Sequence, residues 1–100
     1  MVKLTVLYGP PADPAAFEHY YANTHLALAA KIPNTRRVEA SKVVATPGAA
    51  EAPYHRIAEL WFDSADHMEA ALGSEAGRAA VEDIGTFASG GATVVVSAVD

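Results

Sequence analysis

The segment YHRIAELWF at residues 54–62 is rich in residues that favour β-strands, and its large side chains fall on both faces of such a strand. Residues 47–53 (PGAAEAP) in front of it have the composition of a loop. Further upstream, residues 36–46 predict another strand, in which the apolar trio 43–45 breaks strict alternation as a bulge or an edge does. These stretches together predict a β-hairpin.

A strand and a helix are predicted ahead of this hairpin. Residues 2–8 (VKLTVLY) show a period of two, and GPP at 9–11 ends the strand because proline lacks the donor that a ladder needs. Asp13 followed by Pro14 is typical of a helix start, since the carboxylate accepts from free amides and proline fits the first helical position. The helix is expected to run to about Lys31.

The predicted helix has one mainly apolar face. At a spacing of about 3.6 residues this face comprises Phe17, Tyr20, Tyr21, Thr24 and Leu28, with His25 on its flank beside Tyr21. The pair Pro33 and Asn34 then closes the helix.

The C-terminal half predicts a broken helix and a last strand. Ser64 caps a helix that runs to about Leu72, a glycine interrupts it, and residues 74–87 resume helical spacing. After the turn SGG at 89–91, residues 92–99 alternate again and end the chain with a strand.

The order of the elements is therefore β-α-β-β-α-β, which is the ferredoxin-like arrangement of the α+β class. Its four strands form an antiparallel sheet, and its two helical regions cover one face of that sheet. No linker, repeat or low-complexity tract divides the chain, so residues 1–100 are expected to form a single domain.

The predicted sheet is apolar on both faces. Its last strand places Val94 and Val96 on one side and Val95 and Val99 on the other. With 100 residues, 51% of them apolar and 19% charged, the chain is too small to bury all of that surface alone. We therefore expect two sheets to pack face to face as a homodimeric α+β barrel. The interleaved polar residues would then be partly buried and paired: Lys3, Thr5, Glu59, Thr93 and Ser97.

Charge and composition argue against several classes of protein. The net charge is −5 and the seven Lys and Arg residues form no basic stripe, so nucleic acid is not expected as a partner. Cysteine is absent, and the four histidines are spread from residue 19 to residue 67, so we expect neither a metal nor another cofactor. Without a signal peptide or an apolar run of membrane-spanning length, no membrane association and a cytoplasmic location are expected.

Two parts of the chain contain recognisable motifs. The first is YYANTHLAL at residues 20–28, followed by KIP at 31–33 and the arginine pair at 36–37. The second runs from YHRIAELWFDS at 54–64 through residues 74–88. Together they resemble the tyrosine-histidine-proline signature and the second half of the EthD family, over essentially the whole chain.

The resemblance implies a dimeric α+β barrel, the superfamily that also includes small antibiotic-biosynthesis monooxygenases, muconolactone isomerases and haem-degrading monooxygenases. The family is named from the degradation of ethyl tert-butyl ether, and its own biochemical role is largely undefined. Two positions depart from its pattern: Ala27 stands where proline is usual, and Asn34 where glycine is usual. Asparagine tolerates the left-handed conformation that glycine adopts.

His25 and Asp83 are the candidate catalytic residues. Imidazole is the side chain that exchanges a proton near neutral pH, and His25 lies near the end of the predicted helix beside a tyrosine. Asp83 is a lone carboxylate among apolar residues and could orient the histidine. The alternatives are that His25 caps the helix or is hydrogen-bonded in the core, and that Asp83 caps a helix, pairs with Arg56 or Arg78, or is solvated.

Four aromatic residues are the candidate ligand-binding residues, because each combines a flat apolar body with one polar group: Tyr8, Tyr20, Tyr21 and Trp61. They are also ordinary core material, and core or interface packing is the more common role of such residues. Trp61 is the expected dimer anchor if its side of the strand faces a partner.

The function predicted from these features is the binding of a small apolar or aromatic metabolite in a catabolic or secondary-metabolite pathway. Cofactor-independent isomerase, dehydratase or oxygenase chemistry with His25 as acid or base would suit such a pocket. A non-enzymatic binding or accessory protein is the alternative, and sequence alone does not choose between an enzyme and a binder. A third interpretation, a haem-binding monooxygenase, would use His67, although polar neighbours indicate a surface position for this residue.

Overall fold

A four-stranded antiparallel sheet forms the centre of the protein, whose computed structural model describes all 100 residues. Its strands are β1 (Val2–Tyr8), β2 (Arg37–Lys42), β3 (Arg56–Phe62) and β4 (Ala92–Ala98). They pair in the order β2-β3-β1-β4, so the hairpin strands 2 and 3 lie together and the two ends of the chain pair beside them. This is the predicted ferredoxin-like topology.

The helices cover one face of the sheet. The first helical stretch consists of α1 (Pro14–Tyr20), a π-helical segment (Tyr21–His25) and α2 (Leu26–Ala29), and the second of α3 (Ala65–Gly73) and α4 (Glu75–Phe87). No helix has the length and apolar character needed to cross a membrane.

Side-chain caps begin the longer helices as predicted. Asp13 Oδ1 accepts from the Ala16 amide at 3.1 Å, and Ser64 Oγ accepts from the His67 amide at 3.2 Å. Ser74 both ends α3 and starts α4, since its hydroxyl donates to the Ala71 carbonyl and accepts from the Gly77 amide. Each cap satisfies an amide that the helix itself leaves free.

The core lies between the sheet and the helices. Alternate residues of the two central strands point towards the helices and are buried: Leu4, Val6 and Tyr8 on β1, and Ala58, Leu60 and Phe62 on β3. The residues between them, such as Lys3, Glu59 and Trp61, therefore point to the opposite, outer face.

Several boundaries differ from the sequence-based prediction. The first helical stretch stops at Ala29 rather than Lys31, and strand β2 stops at Lys42 rather than at residue 46. Beyond Lys42 one more ladder bond forms, from the Val43 amide to the His55 carbonyl, and then nothing covers Val44, which is 93% exposed. The hairpin is accordingly shorter than predicted, and β3 starts at Arg56 rather than at residue 54.

The expected pairing of polar residues on the outer face is found at one pair of positions. Lys3 Nζ lies 3.0 Å from Glu59 Oε2 across the central strands, and both side chains are partly buried. Thr93 and Ser97 on the edge strand β4 are exposed in the single protomer. Central strands have neighbours on both sides, whereas an edge strand has one.

Two glycines of α4 give a matched test of the packing between α3 and α4. A Cβ at Gly77 would collide with the Ala71 carbonyl and lie 2.7 Å from Leu72 Cα, whereas one at Gly85 would meet open space. We expect Gly77→Ala to lower the free energy of unfolding by about 1–3 kcal/mol, because overpacking forces backbone shifts. Gly85→Ala should raise it by about 1 kcal/mol, the usual helix-propensity gain.

Urea denaturation of both variants and the wild type at one protein concentration measures these changes. Equal effects of the two substitutions would contradict the close approach of the α3 end to α4.

Candidate functional site

The π-helical segment determines which side chains of the first helical stretch face the sheet. Its wider turn is closed by the Leu26 amide, which donates to the carbonyl of Tyr21, five residues earlier. In an ideal α-helix, each step of four residues rotates a side chain by about 40°. The wider turn offsets part of this rotation, so that Phe17, Tyr21 and His25 are all buried at intervals of four.

This arrangement corrects the helix face predicted at regular α-helical spacing. Thr24 was placed on the apolar face with His25 on its flank, but Thr24 is exposed and His25 is only 5% exposed. The π-helical turn contains one residue more than an α-helical turn, and this shift buries His25 where regular spacing would bury Thr24.

His25 and Asp83 form a hydrogen-bonded pair between the first helical stretch and α4. The Nδ1 atom of His25 lies 2.9 Å from Oδ2 of Asp83, and the two side chains are 7% and 11% exposed. A carboxylate only accepts, so this nitrogen holds the imidazole proton and donates it. When the ring carries a single proton, its free electron pair is then on Nε2.

Tyr20 holds the other oxygen of the same carboxylate. Its hydroxyl donates to Asp83 Oδ1 at 2.6 Å, and this hydrogen bond raises the pKa of Tyr20. Asp83 is thus held by two side chains of one helical stretch, which fixes the direction in which it presents Oδ2 to the imidazole. The suggested partners Arg56 and Arg78 bind elsewhere: Arg78 donates to the Gly73 carbonyl, and Arg56 pairs with Glu18.

Tyr8 lies at the second nitrogen of the imidazole. Its hydroxyl is 3.4 Å from Nε2 of His25, a long contact in which the phenol is the donor. Burial raises the pKa of Tyr8, and the neighbouring Tyr21 and Asp83 add to this effect, so the phenol stays protonated.

Phe87 packs against the three ring side chains of this network, His25, Tyr8 and Tyr20. Its ring centroid lies 4.6 Å from that of His25, 5.5 Å from that of Tyr8 and 5.4 Å from that of Tyr20. It was not proposed as a site residue, because an apolar residue in a helical pattern indicates core packing and nothing more specific.

A cavity lies beside the imidazole, between the helix-facing side of the sheet and the helices. Its volume is about 50 Å³, and its walls are almost entirely apolar. Tyr8, Tyr21 and His25 line it, as do Val38 and Val81. These two valines are 44% and 51% exposed, which places them where the cavity opens to solvent.

An ion-pair cluster packs against Tyr21, one of the residues that line the cavity. Arg56 donates to both carboxylate oxygens of Glu18, at 3.0 and 2.8 Å, and His55 Nε2 lies 3.3 Å from the same carboxylate. The hydrogen bonds from Arg56, with a smaller contribution from His55, lower the pKa of Glu18 to about 2. The guanidinium also lies over the Tyr21 ring, 4.8 Å from its centroid.

Sequence reasoning missed this cluster. Glu18 and Arg56 are separated by 38 positions in the sequence, and they meet only because the fold brings α1 close to the start of β3. A glutamate and an arginine on surface-facing positions give no signal of this contact in one sequence.

Three candidate residues lie outside the cavity. Tyr20, predicted to bind a ligand, does not line it and donates to Asp83 instead. Trp61 is on the outer face of the sheet, where Lys3 Nζ and the Arg37 guanidinium lie 5.5 and 5.1 Å from its ring centroid. Its predicted role in lining the pocket is therefore wrong for this cavity, because Leu60 and Phe62 are the residues of β3 that face inward. His67 is exposed, and its Nδ1 lies 2.7 Å from Ser64 Oγ. No group of three His, Asp or Glu residues is placed to hold a metal ion.

These features define a ferredoxin-like α+β domain with a histidine–aspartate pair beside an apolar cavity. The chain belongs to the EthD family: residues 9–91 match the EthD domain. It is 37% identical over 95 residues to an uncharacterised 11.0 kDa protein from the thcB-thcC intergenic region of Rhodococcus erythropolis, covering 95% of this chain and 91% of that protein. An EthD family protein of Bacillus halodurans is 31% identical, with a TM-score of 0.94 over 100% of this chain and 99% of that one.

More distant structures share the fold alone. A dimeric ferredoxin-like protein of unknown function from Thermobifida fusca is 17% identical, with a TM-score of 0.74 over 98% of this chain and 90% of that one. SnoaB of Streptomyces nogalater, a cofactor-independent oxygenase, is 15% identical, with a TM-score of 0.69 over 98% of this chain and 91% of SnoaB. The fold therefore includes both proteins without a known activity and an oxygenase.

The Glu18–Arg56 pair predicts a specific loss of stability in acid. The pKa of Glu18 is lowered from 4.5 to about 2 in the folded state, so its stabilising effect is complete above pH 4.5 and lost as the pH falls towards 2. We expect Glu18→Gln to lower the free energy of unfolding by about 1–2 kcal/mol at pH 7. The difference from wild type should shrink between pH 4.5 and 2.

Urea denaturation at a series of pH values tests this expectation. Glu69→Gln, which removes an exposed carboxylate without an ion pair, is the control. A difference between wild type and Glu18→Gln that stays constant down to pH 2 would contradict the assigned role of the pair.

Proposed function

We propose that the protein binds a small apolar or aromatic metabolite in the cavity beside His25, and that His25 transfers a proton to and from it. The observation that carries this proposal is the 2.9 Å contact between His25 Nδ1 and Asp83 Oδ2, two nearly buried side chains, of which His25 lines an apolar cavity. A buried histidine held by a carboxylate is the arrangement that general bases require.

The chemistry follows from the position of the protons. Because Nδ1 donates to Asp83, the nitrogen left for a substrate is Nε2, next to the Tyr8 hydroxyl. When Nε2 takes a proton, the imidazolium that forms is stabilised by the adjacent carboxylate in surroundings from which water is largely excluded. Isomerisation, dehydration and the oxygenation of an activated substrate can all begin with this proton removal and need no cofactor for it.

The relatives support the class of chemistry without assigning a reaction. SnoaB, which shares the fold, is described as a cofactor-independent oxygenase. The Bacillus halodurans relative takes its family name from the degradation of ethyl tert-butyl ether. A catabolic or secondary-metabolite pathway is consistent with both descriptions.

A binding or accessory protein without enzymatic activity is the second candidate. It is favoured by the contacts at both imidazole nitrogens, since Asp83 and Tyr8 together can hold a purely structural histidine. Two features favour catalysis instead: the contact at Nε2 is long, at 3.4 Å, and a cavity lies beside it. Measured proton transfer separates the two candidates.

Hydrogen exchange of small carbon acids tests the proposed base. In D2O, the wild-type protein should accelerate the exchange of acidic C–H protons in a panel of uncharged aromatic compounds such as acetophenone and indene. Asp83→Asn keeps the size of the side chain but replaces the accepting oxygen, so we expect the protein-dependent rate to fall about 10²–10⁴-fold. One-dimensional NMR of the compounds measures the rate.

His67→Ala is the matched control, because it removes an exposed histidine outside the cavity. Its exchange rate should equal that of the wild type, while His25→Ala should reduce the rate to that of the buffer. Folding of each variant is checked by its thermal transition. Exchange no faster with wild type than in buffer, or undiminished in His25→Ala, would show that His25 is not the base and favour the binding protein.

We further propose that two copies of the chain associate through the outer face of the sheet as a dimeric α+β barrel. This face presents Leu7, Ile57, Trp61 and Val95 around the Lys3–Glu59 pair, and no helix covers it. Apolar surface of this kind is typical of association surfaces. The similar structure from Thermobifida fusca is described as dimeric, which supports the same arrangement here.

Light scattering after size exclusion tests the dimer. The wild type should have a mass of about twice the 10.4 kDa of one chain, and Trp61→Glu should shift it towards the monomer, because it replaces a large apolar side chain of the interface with a charged one that must be desolvated. Val81→Glu changes an exposed valine on the helical side and should leave the dimer intact. A wild-type mass of 10.4 kDa at micromolar concentration would refute this interface.

A further inference from the structure

The hydroxyl of Tyr21 is the one buried side-chain polar atom of the protein that has no hydrogen-bond partner. The side chain is only 1% exposed, and it lines the cavity beside His25. Buried tyrosine hydroxyls usually find a partner, because leaving such a group desolvated and unpaired is costly. An unpaired hydroxyl on a residue that lines a cavity therefore points to a group that enters the cavity and completes the bond.

The surroundings of Tyr21 make its hydroxyl a donor. Burial raises the pKa of Tyr21, so the phenol keeps its proton. The Arg56 guanidinium lies 4.8 Å from the centroid of the ring and draws electron density from it. A protonated phenol next to a cation is a strong hydrogen-bond donor, and the atom it lacks is an acceptor.

The charge of the cavity restricts what the acceptor can belong to. The nearest cation, Arg56, is held by both oxygens of Glu18, and no lysine or arginine lines the cavity. A carboxylate or phosphate in this cavity would be a buried charge without a partner, which is strongly unfavourable. The almost entirely apolar walls disfavour a cation as well, so the occupant that we infer is uncharged, with an oxygen acceptor and an apolar remainder.

We propose, building on the proton transfer proposed above, that the substrate is an uncharged carbonyl compound whose oxygen accepts a hydrogen bond from Tyr21. The carbon next to that carbonyl loses a proton to His25 Nε2, the electron pair of the broken C–H bond moves to the oxygen as an enolate, and the Tyr21 hydroxyl stabilises the developing charge. Returning the proton, to the same or a conjugated carbon, completes exchange or isomerisation without a further reactant.

The size of the cavity sets the orientation of such a compound. A cavity volume of about 50 Å³ accommodates the carbonyl end and little more. The apolar remainder of the molecule then lies in the opening between Val38 and Val81, which are both partly exposed. The reactive end is thus deepest, where the imidazole and the two buried phenols line the wall.

Acetophenone and ethylbenzene form a matched pair of probes, because they differ in a carbonyl where the hydrocarbon has a methylene. Titrations followed by amide chemical shifts should show that the wild type binds acetophenone about 3- to 10-fold more tightly, the worth of one hydrogen bond. Tyr21→Phe retains the ring and should bind the two probes equally, with an unchanged affinity for ethylbenzene. It should also unfold at the same or a higher temperature, since it removes an unpaired hydroxyl.

Tyr54→Phe, the same change at a position that does not line the cavity, should keep the wild-type preference. Benzoate, which has a negatively charged oxygen where acetophenone has a methyl group, should bind measurably neither to the wild type nor to the two variants. An unchanged preference in Tyr21→Phe, or no binding of acetophenone by the wild type, would overturn the assignment of Tyr21 and leave water as its partner.

These experiments distinguish a failure of the proposed base, His25, from a failure of the proposed carbonyl site at Tyr21. If Tyr21→Phe abolishes the preference but the wild type does not speed C–H exchange, the carbonyl site stands and His25 is not a base. If His25-dependent exchange is seen with indene, while Tyr21→Phe binds and exchanges acetophenone as the wild type does, the base stands and the carbonyl site is refuted.

Discussion

The wide π-helical turn between Tyr21 and His25 is the constraint on which the site depends. It leaves Phe17, Tyr21 and His25 facing the sheet, where a regular helix would have rotated the last of them towards solvent. Such turns are less stable than α-helix and persist where other contacts hold them. Here the contacts come from α4, since Asp83 bonds both to the residue before the turn, Tyr20, and to its last residue, His25.

The sheet separates two kinds of surface within the same strands. Because neighbouring residues of a strand point to opposite sides, Tyr8 lies in the cavity while Leu7 lies on the outer face, and Leu60 faces the helices while Trp61 lies between two cations. A ligand in the cavity and a partner on the outer face would therefore not compete for surface. The backbone of the central strands connects the two.

The sequence predicts those parts of the structure that depend on local periodicity and on capping. The order of the elements and the Asp13 and Ser64 caps agree with expectation. Of the alternatives left open for His25 and Asp83, the structure has the hydrogen bond between the two side chains. The π-helical turn could not be predicted, because a fixed period of 3.6 residues assigns Thr24 to the buried face. The face occupied by Trp61 was equally undecided, since its strand is apolar on both sides and alternation alone does not say which side meets the helices.

The two departures from the usual EthD pattern show how the geometry around the histidine is held. Asn34 has a φ of 63°, so it adopts the left-handed conformation for which glycine is usual, at the cost that asparagine tolerates. Ala27 is exposed and lies two residues beyond the π-helical segment, which therefore forms here without a proline; its closing bond runs from the Leu26 amide to the Tyr21 carbonyl. A helix-breaking residue is thus not what orients His25. Asp83 on α4 binds the imidazole of His25, and the rings of Phe17 and Tyr21 stack within the helical stretch. These side-chain contacts maintain the irregular backbone.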